Sequence, residues 1–202
     1  MEKLKYGNTN TFYLKGKKGS LLIDTDYAGT LSYFFKEIKS HCIDIKDITY
    51  VLATHYHPDH IGLVSELQKL GIKLLVVDVQ IDSIHFSDKI FFRDSRLQYK
   101  PIDDKFTKII KCDDSREFLL EMGIQGEIIH TPSHSTDSIA IILDNGDCFV
   151  GDLDPIDYLP AYSDNESLKN DWKKILDFNP KKIFYAHAKE KSLISNTINF
   201  KK

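Results

Sequence analysis

Apolar runs and apolar stripes alternate along this chain. Residues 11–14 and 20–24 form two short apolar runs around a Gly-Lys-Lys-Gly turn at 16–19, the pattern of a β-hairpin. Leu31, Phe34, Phe35 and Ile38 then fall at helical spacing and predict a helix packed on a sheet. A nearly continuous apolar run at 48–53 reads as a buried strand. Leu63, Val64, Leu67 and Leu70 return to helical spacing, Gly71 closes that helix, and residues 73–77 form a further buried strand. Strand, helix and strand make a βαβ unit, for which a right-handed crossover is expected.

Residues 80–105 break the rhythm. Phe86, Phe91, Phe92, Tyr99 and Pro101 are mixed with charges at no clean period, which predicts a helical or irregular insertion, a lid or an interface. Strand-like runs resume at 106–111, 126–131, 138–143 and 147–150, with Asn145-Gly146 marking a tight hairpin between the last two. Ser163 and Glu166 have capping-box spacing ahead of a helix carrying Leu168, Trp172, Ile175 and Leu176, and a last strand at 182–186 delivers His187. The pattern predicts an α/β protein with one domain over 1–202.

Composition narrows the class. At 202 residues, with 42% hydrophobic and 11% aromatic positions, the chain can bury one substantial core. A net charge of −3, with both signs mixed throughout, offers no cationic footprint for long nucleic acids. The N-terminal residues carry no apolar signal segment and no run is long enough to span a membrane, so a cytoplasmic protein without a membrane partner is expected. Cys42, Cys112 and Cys148 are odd in number and far apart, which suits reduced thiols better than a disulfide framework or a cysteine metal motif.

The candidate chemistry sits at the end of the 48–53 run. Residues 54–60 read Thr-His-Tyr-His-Pro-Asp-His, three imidazoles and a carboxylate within six positions. Four such groups side by side are costly to bury unpaired, and neutral imidazole with carboxylate is a donor set for zinc and similar transition metals. At the carboxyl end of a strand and the start of a helix, the cluster is where open α/β sheets place their ligands. His134, Asp152 and His187 also fall just past predicted strand ends. Strand ends meeting on one edge would unite His55, His57, Asp59, His60, His134, Asp152 and His187, too many ligands for one tetrahedral zinc but suited to two metals sharing a carboxylate.

These motifs, in this order, resemble the metallo-β-lactamase superfamily. His55, His57, Asp59 and His60 match its His-x-His-x-Asp-His motif, Thr131-Pro132-Ser133-His134 its Thr-Pro-Gly-His, Gly151-Asp152 its Gly-Asp, His187 its last histidine, and Ile23-Asp24-Thr25-Asp26 its Ile-Asp-Thr-Gly. The resemblance implies a four-layer αββα sandwich of two mixed sheets with helices on the outer faces. It implies one metal on His55, His57 and His134, another on Asp59, His60 and His187, and Asp152 between them. Ser133 and Asp26 stand where the family has glycine and are expected to reshape turns without removing a ligand. Asp26 adds a carboxylate either near the metals or in a surface turn.

The resemblance leads to an expected dinuclear metal-dependent hydrolase. Its cofactors are two divalent ions, zinc first, with iron or manganese as alternatives. Two such ions outweigh two carboxylates and a bridging hydroxide by one positive charge, which favours a developing oxyanion. Zinc lowers the pKa of bound water toward about 7, so hydroxide is available at neutral pH. Asp59 is the candidate catalytic carboxylate, orienting the nucleophile or returning a proton. The expected substrate is a small-molecule ester, thioester or lactone. A phosphodiester or other phosphoric ester, or a persulfide oxidised at a single iron, is the alternative, because the fold does not fix the substrate. The chain ends soon after His187, from which no helical C-terminal substrate domain and no fused flavin domain are expected. Tyr162 is a candidate proton donor, and Phe91, Phe92 and His85 are candidates for substrate contact, each weighed against packing or a surface role. His130 is read as solvated or structural, His41 as a surface residue and Tyr56 as packing. The insertion's aromatic residues offer either a lid or a homodimer contact.

Overall fold

Strand residues alternate between two apolar environments, and that alternation builds four layers. The computed structural model describes residues 1–193. The first sheet runs in chain order through β1 (Glu2–Leu4), β2 (Thr11–Lys15), β3 (Ser20–Ile23), β4 (Tyr50–Leu52), β5 (Lys73–Val77) and β6 (Thr107–Ile110). Its first three strands pair antiparallel and the rest parallel. The second sheet comprises β7 (Gly126–His130), β8 (Ile139–Leu143), β9 (Asp147–Phe149), β10 (Lys182–Phe184) and β11 (Lys191–Ser192), and only β9 and β10 are parallel.

Leu21, Ile23, Leu52, Leu75 and Val77 point between the sheets and meet Ile139, Ile141 and Phe149 from the other side. The intervening Leu22, Val51, Leu74 and Val76 point outward under Phe34 and Ile38 of α1 (Leu31–Ser40), Ile61 of α2 (Pro58–Ile61) and Val64 and Leu67 of α3 (Val64–Lys69). With both faces covered, these strands read as continuous apolar runs rather than alternating ones. On the far face of the second sheet, Ala140, Ile142, Cys148 and Ile183 pack under Leu168, Trp172 and Ile175 of α6 (Glu166–Asp177). Trp172 is fully buried and donates from Nε1 to the Asp154 carbonyl at 2.9 Å. Truncating it to alanine would cost about 3–5 kcal/mol.

Several predicted elements have different bounds or partners. The helix expected at 63–70 is α3, and a separate short helix, α2, precedes it, with His57 before Pro58 at the N-terminus of α2. Ser163 does not cap α6. Asn165 does, accepting from the Leu168 amide at 3.0 Å, and Glu166 is already the first helical residue. Helix α5 (Ser115–Met122) was not predicted, because Leu120 on its exposed side blurs the stripe; Leu119 and Met122 plug the inter-sheet core. The insertion holds α4 (Asp88–Phe91) between 3₁₀ turns at Asp78–Ser83 and Ser95–Leu97. The three cysteines are free, and burial pushes the Cys112 thiol up to about 11 and Cys148 higher still, so neither is a thiolate at neutral pH. Among the described residues no helix is long and apolar enough to cross a membrane.

Candidate metal centre

Five strands end at one edge of the sandwich: β3 before Asp24, β4 before Thr54 and His55, β7 before His134, β9 before Asp152 and β10 before His187. Two backbone bonds between the sheets hold that edge, Ile139 N–H to the Thr54 carbonyl at 2.9 Å and Asn10 N–H to the Ala186 carbonyl at 2.7 Å. The chain turns sharply at Gly151, whose φ is +57°. A Cβ there would lie 2.3 Å from Thr54 Oγ1, so only glycine lets β9 swing Asp152 into the edge.

The seven predicted ligands converge as two sets. His55, His57, His134 and Asp152 form one, and Asp59, His60 and His187 the other, each with one donor atom per residue and all donors of a set within 4.8 Å of one another. In the first set His57 Nδ1 lies 3.0 Å from His55 Nε2 and 3.2 Å from His134 Nε2, and Asp152 Oδ2 lies 3.8 Å from both Nε2 atoms. In the second, His187 Nε2 is 3.1 Å from Asp59 Oδ2, and Asp152 Oδ1 is 3.2 Å from His187 Nε2 and 3.4 Å from His60 Nε2. Each oxygen of Asp152 thus faces a different set. Four-coordinate zinc with ligand distances of about 2.0–2.2 Å separates its ligand atoms by roughly 3.3–3.6 Å, and the separations here, 3.0–4.0 Å, bracket that range. His60 Nε2 and Asp152 Oδ1 are buried with no hydrogen-bond partner among the described residues, although buried polar atoms are nearly always paired. The residues therefore fit divalent transition metals.

The charge environment separates the imidazoles. Burial, then the neighbouring imidazoles, holds His55 far below the ordinary histidine value, and burial likewise lowers His134. Both present a neutral ring with a free lone pair. Burial also opposes charge on His60, but Asp24 and Asp152 outweigh it and raise this histidine to about 10. The hydrogen bond from His187 raises that histidine and holds Asp59 down at about 2. Burial of Asp152 works against ionisation, yet His60 and the other imidazoles keep its carboxyl below the usual range.

A layer of buried groups orients the candidate ligands. Asp24, itself at φ +58°, accepts from the Thr54 amide at 2.6 Å, from Thr54 Oγ1 at 2.9 Å and, at 3.1 Å, from His60 Nδ1, which leaves His60 Nε2 turned toward the second set. Asp137 accepts from the Tyr56 amide between His55 and His57 at 2.7 Å, and the Gln80 amide donates to both the Ala53 and Asp137 carbonyls. Buried Asp171 on α6 accepts from the Ser133 amide at 2.7 Å, next to His134. Asn10 Nδ2 donates to the Tyr185 and Ala188 carbonyls on either side of His187. Sequence reading named Asp24 only as part of a motif and missed Asp137, Asp171, Gln80 and Asn10, which lie far along the chain from the ligands they hold.

The other predicted residues fall elsewhere. Asp26 is in neither set and not on the surface: it is 3% exposed and accepts from the Thr9 and Tyr27 amides, while Thr9 Oγ1 donates to the Asp59 carbonyl. Phe91, expected as a substrate contact, is fully buried, stacked on Tyr99 at 4.3 Å and edge-on to Tyr27. His85 is in neither set, and Asp88 and Asp104 hold its two ring nitrogens at 2.9 and 3.0 Å. Phe92 is exposed and rests edge-on against Tyr99 at 5.7 Å. Tyr162 lies on the surface beside Tyr158, 6.3 Å between ring centroids. His130 bonds the Thr136 carbonyl within its own loop, and Tyr56 is buried in the core. The insertion residue beside the ligands is Phe86, half exposed, with its ring centroid 6.0 Å from that of His57.

Comparison with known proteins gives consistent matches. The profile of the metallo-β-lactamase superfamily matches residues 4–187. A β-lactamase-like protein 2 homologue of Drosophila melanogaster is 28% identical over 185 residues, covering 89% of this chain and 58% of that protein. The chain thus spans little more than half the length of that relative. Among solved structures, a metallo-β-lactamase family protein of Thermus thermophilus superposes with a TM-score of 0.67 at 17% identity, covering 91% of this chain and 70% of the other. A different solved structure, described as a di-iron-bound form, gives a TM-score of 0.67 at 16% identity, covering 95% of this chain and 94% of the other.

Proposed function

The chain belongs to the metallo-β-lactamase superfamily, and on that footing we propose that it is a dinuclear metal-dependent hydrolase of a small-molecule ester, thioester or lactone. The observation that carries this reading is Asp152, with Oδ2 toward His55 and His134 and Oδ1 toward His60 and His187. His55, His57 and His134 would hold one divalent ion, Asp59, His60 and His187 a second, and Asp152 both. Bound there, zinc or a related ion supplies an activated water at neutral pH and polarises the substrate oxygen. Iron and manganese suit the same donors, and the di-iron form of the structural relative supports iron as the main alternative to zinc.

The protein's own groups do the rest. Asp24 fixes the His60 ring by accepting its Nδ1 proton, and the Asn8 carbonyl, 3.3 Å from His187 Nδ1, does the same for His187. Both Nε2 atoms then face inward. Asp59, ionised and partly exposed, can accept a hydrogen bond from the attacking water and so orient it toward the substrate carbonyl. Phe86 beside His57 gives the mouth an apolar wall, which favours a carbon ester or thioester over a multiply charged phosphate.

The test is a substrate panel with metal analysis. Wild-type protein should hydrolyse chromogenic esters, thioesters or lactones faster than phosphodiesters. Asp152→Ala should lose most bound metal and at least about 10²-fold in turnover, the scale of a lost electrostatic group in an active site. His57→Ala should lose metal from the first set. Wild-type hydrolysis by the metal-depleted variants would refute the proposal.

A further inference from the structure

The surface beside His57 carries two side chains that packing does not explain. Phe86 is 49% exposed although large and apolar, and it follows His85, which is locked between two carboxylates. Buried Ser87, on its other side, donates from Oγ to the Tyr56 carbonyl. The backbone at Phe86 is therefore pinned at both neighbours, and the ring is held at the metal centre rather than free to fold inward. Lys89, one helical turn on, places Nζ 5.7 Å from the Phe86 ring centroid. Lys89 is exposed and has no carboxylate partner among the described residues, so its ammonium is available to an anion beside the Phe86 ring.

An apolar ring touching a predicted ligand and an unpaired cation touching that ring make a two-part recognition surface. A substrate seated with its scissile carbonyl at the metal centre would lay its acyl group against Phe86. An anionic group at the far end of the acyl group would come within reach of the Lys89 ammonium. We propose that Phe86 and Lys89 set specificity, selecting acyl groups that are apolar or aromatic next to the carbonyl and anionic at the other end. This deepens the hydrolase reading and rests on it. The same pair would disfavour substrates whose acyl portion is cationic.

The experiment compares matched thioesters of N-acetylcysteamine: phenylacetyl, its para-carboxy derivative and its para-phosphono derivative. The wild type should prefer the carboxylated over the neutral compound by about threefold to fivefold in kcat/KM, the scale of an exposed charge pair. Lys89→Gln should abolish that preference and Lys89→Glu reverse it, with metal content unchanged. Phe86→Ala should raise KM for all three by about tenfold, while Phe86→Leu restores most of it. A preference for the phosphono arm alone would replace carboxylate by phosphate as the anion and overturn the carboxylate assignment. An unchanged preference in Lys89→Glu would overturn the proposal. If the wild type hydrolyses none of the three, the hydrolase reading fails, and calorimetric binding of phenylacetate and its para-carboxy derivative to the metal-loaded protein decides the subsite by itself. Tighter binding of the dianion that Lys89→Glu abolishes would sustain it, and equal binding would refute it.

Discussion

Replacing Asp24 by asparagine keeps the shape of the second set's support and inverts its hydrogen bonding. The Asp24 carboxylate is 1% exposed; Oδ1 accepts the Thr54 amide at 2.6 Å, and Oδ2 faces His60 Nδ1 at 3.1 Å. The Thr54 amide needs an acceptor, so the asparagine oxygen must take the Oδ1 position and its NH₂ must face His60. A donor there forces the proton of a neutral His60 onto Nε2, the atom that would hold the metal. Losing a hydrogen bond that orients a metal-binding histidine costs about 10–100-fold in metal affinity. In Asp24→Asn the second set should lose its metal on dialysis at a chelator concentration the wild type withstands, moving from two ions per chain toward one by elemental analysis. Asp24→Ala adds a stability cost, because the Thr54 amide and hydroxyl lose their acceptor: about 1–3 kcal/mol per unsatisfied group. At about 2–4 °C per kcal/mol for a chain of this size, the alanine variant should melt several degrees below the asparagine one. Two tightly held ions in Asp24→Asn would refute the tautomer argument, and equal melting temperatures for the two variants would refute the hydrogen-bond accounting.

Three further outcomes follow from the supporting residues. Asp171→Ala removes the acceptor for the Ser133 amide and a buried partner of Lys174, so metal retention by the first set should fall about tenfold on competition with a chromogenic chelator, while the second set is unaffected. Gly151→Ala forces a Cβ to 2.3 Å from Thr54 Oγ1 at a positive φ and should lower the melting temperature by several degrees together with metal content; a wild-type melt would show that the turn relaxes freely. His85 is raised above its ordinary value: burial opposes this, but hydrogen bonds to Asp104 and Asp88 outweigh it. A raised folded-state value means that its stabilisation is fully present below the unfolded value of about 6.5 and is lost as pH rises through the folded one. His85→Gln should therefore melt a few degrees below wild type at pH 5.5, reflecting exposed pairs worth about 0.2–1 kcal/mol each, and level with it near pH 9. A pH-independent gap would contradict that assignment.

The strands and the candidate ligands were legible for one reason, and their supports were hidden for another. Val51 and Leu52, or Leu74 and Leu75, read as buried runs because one neighbour packs under helices and the next between the sheets, so every position is apolar. The ligands follow such runs immediately, which puts the chemistry next to the strongest local signal in the sequence. Asp24 and Thr54 are 30 residues apart, Ser133 and Asp171 38, and Asn10 and Tyr185 175. No periodicity links such pairs; only the sheet order joins them. The insertion failed differently. Phe86, Phe91 and Phe92 are close in sequence, but Phe86 sits in the turn at 84–87 while Phe91 and Phe92 lie at the end of α4, so no single helical phase relates them: Phe91 points into the core, Phe92 toward solvent and Phe86 toward His57. Apolarity alone could not tell which aromatic faces the centre. The pinning of His85 and Ser87 decides it, through contacts to Asp88, Asp104 and Tyr56 that belong to the folded state alone. Substrate preference, on the reading proposed above, is therefore written into the segment where sequence periodicity is weakest, while the nucleophile's surroundings are written where it is strongest.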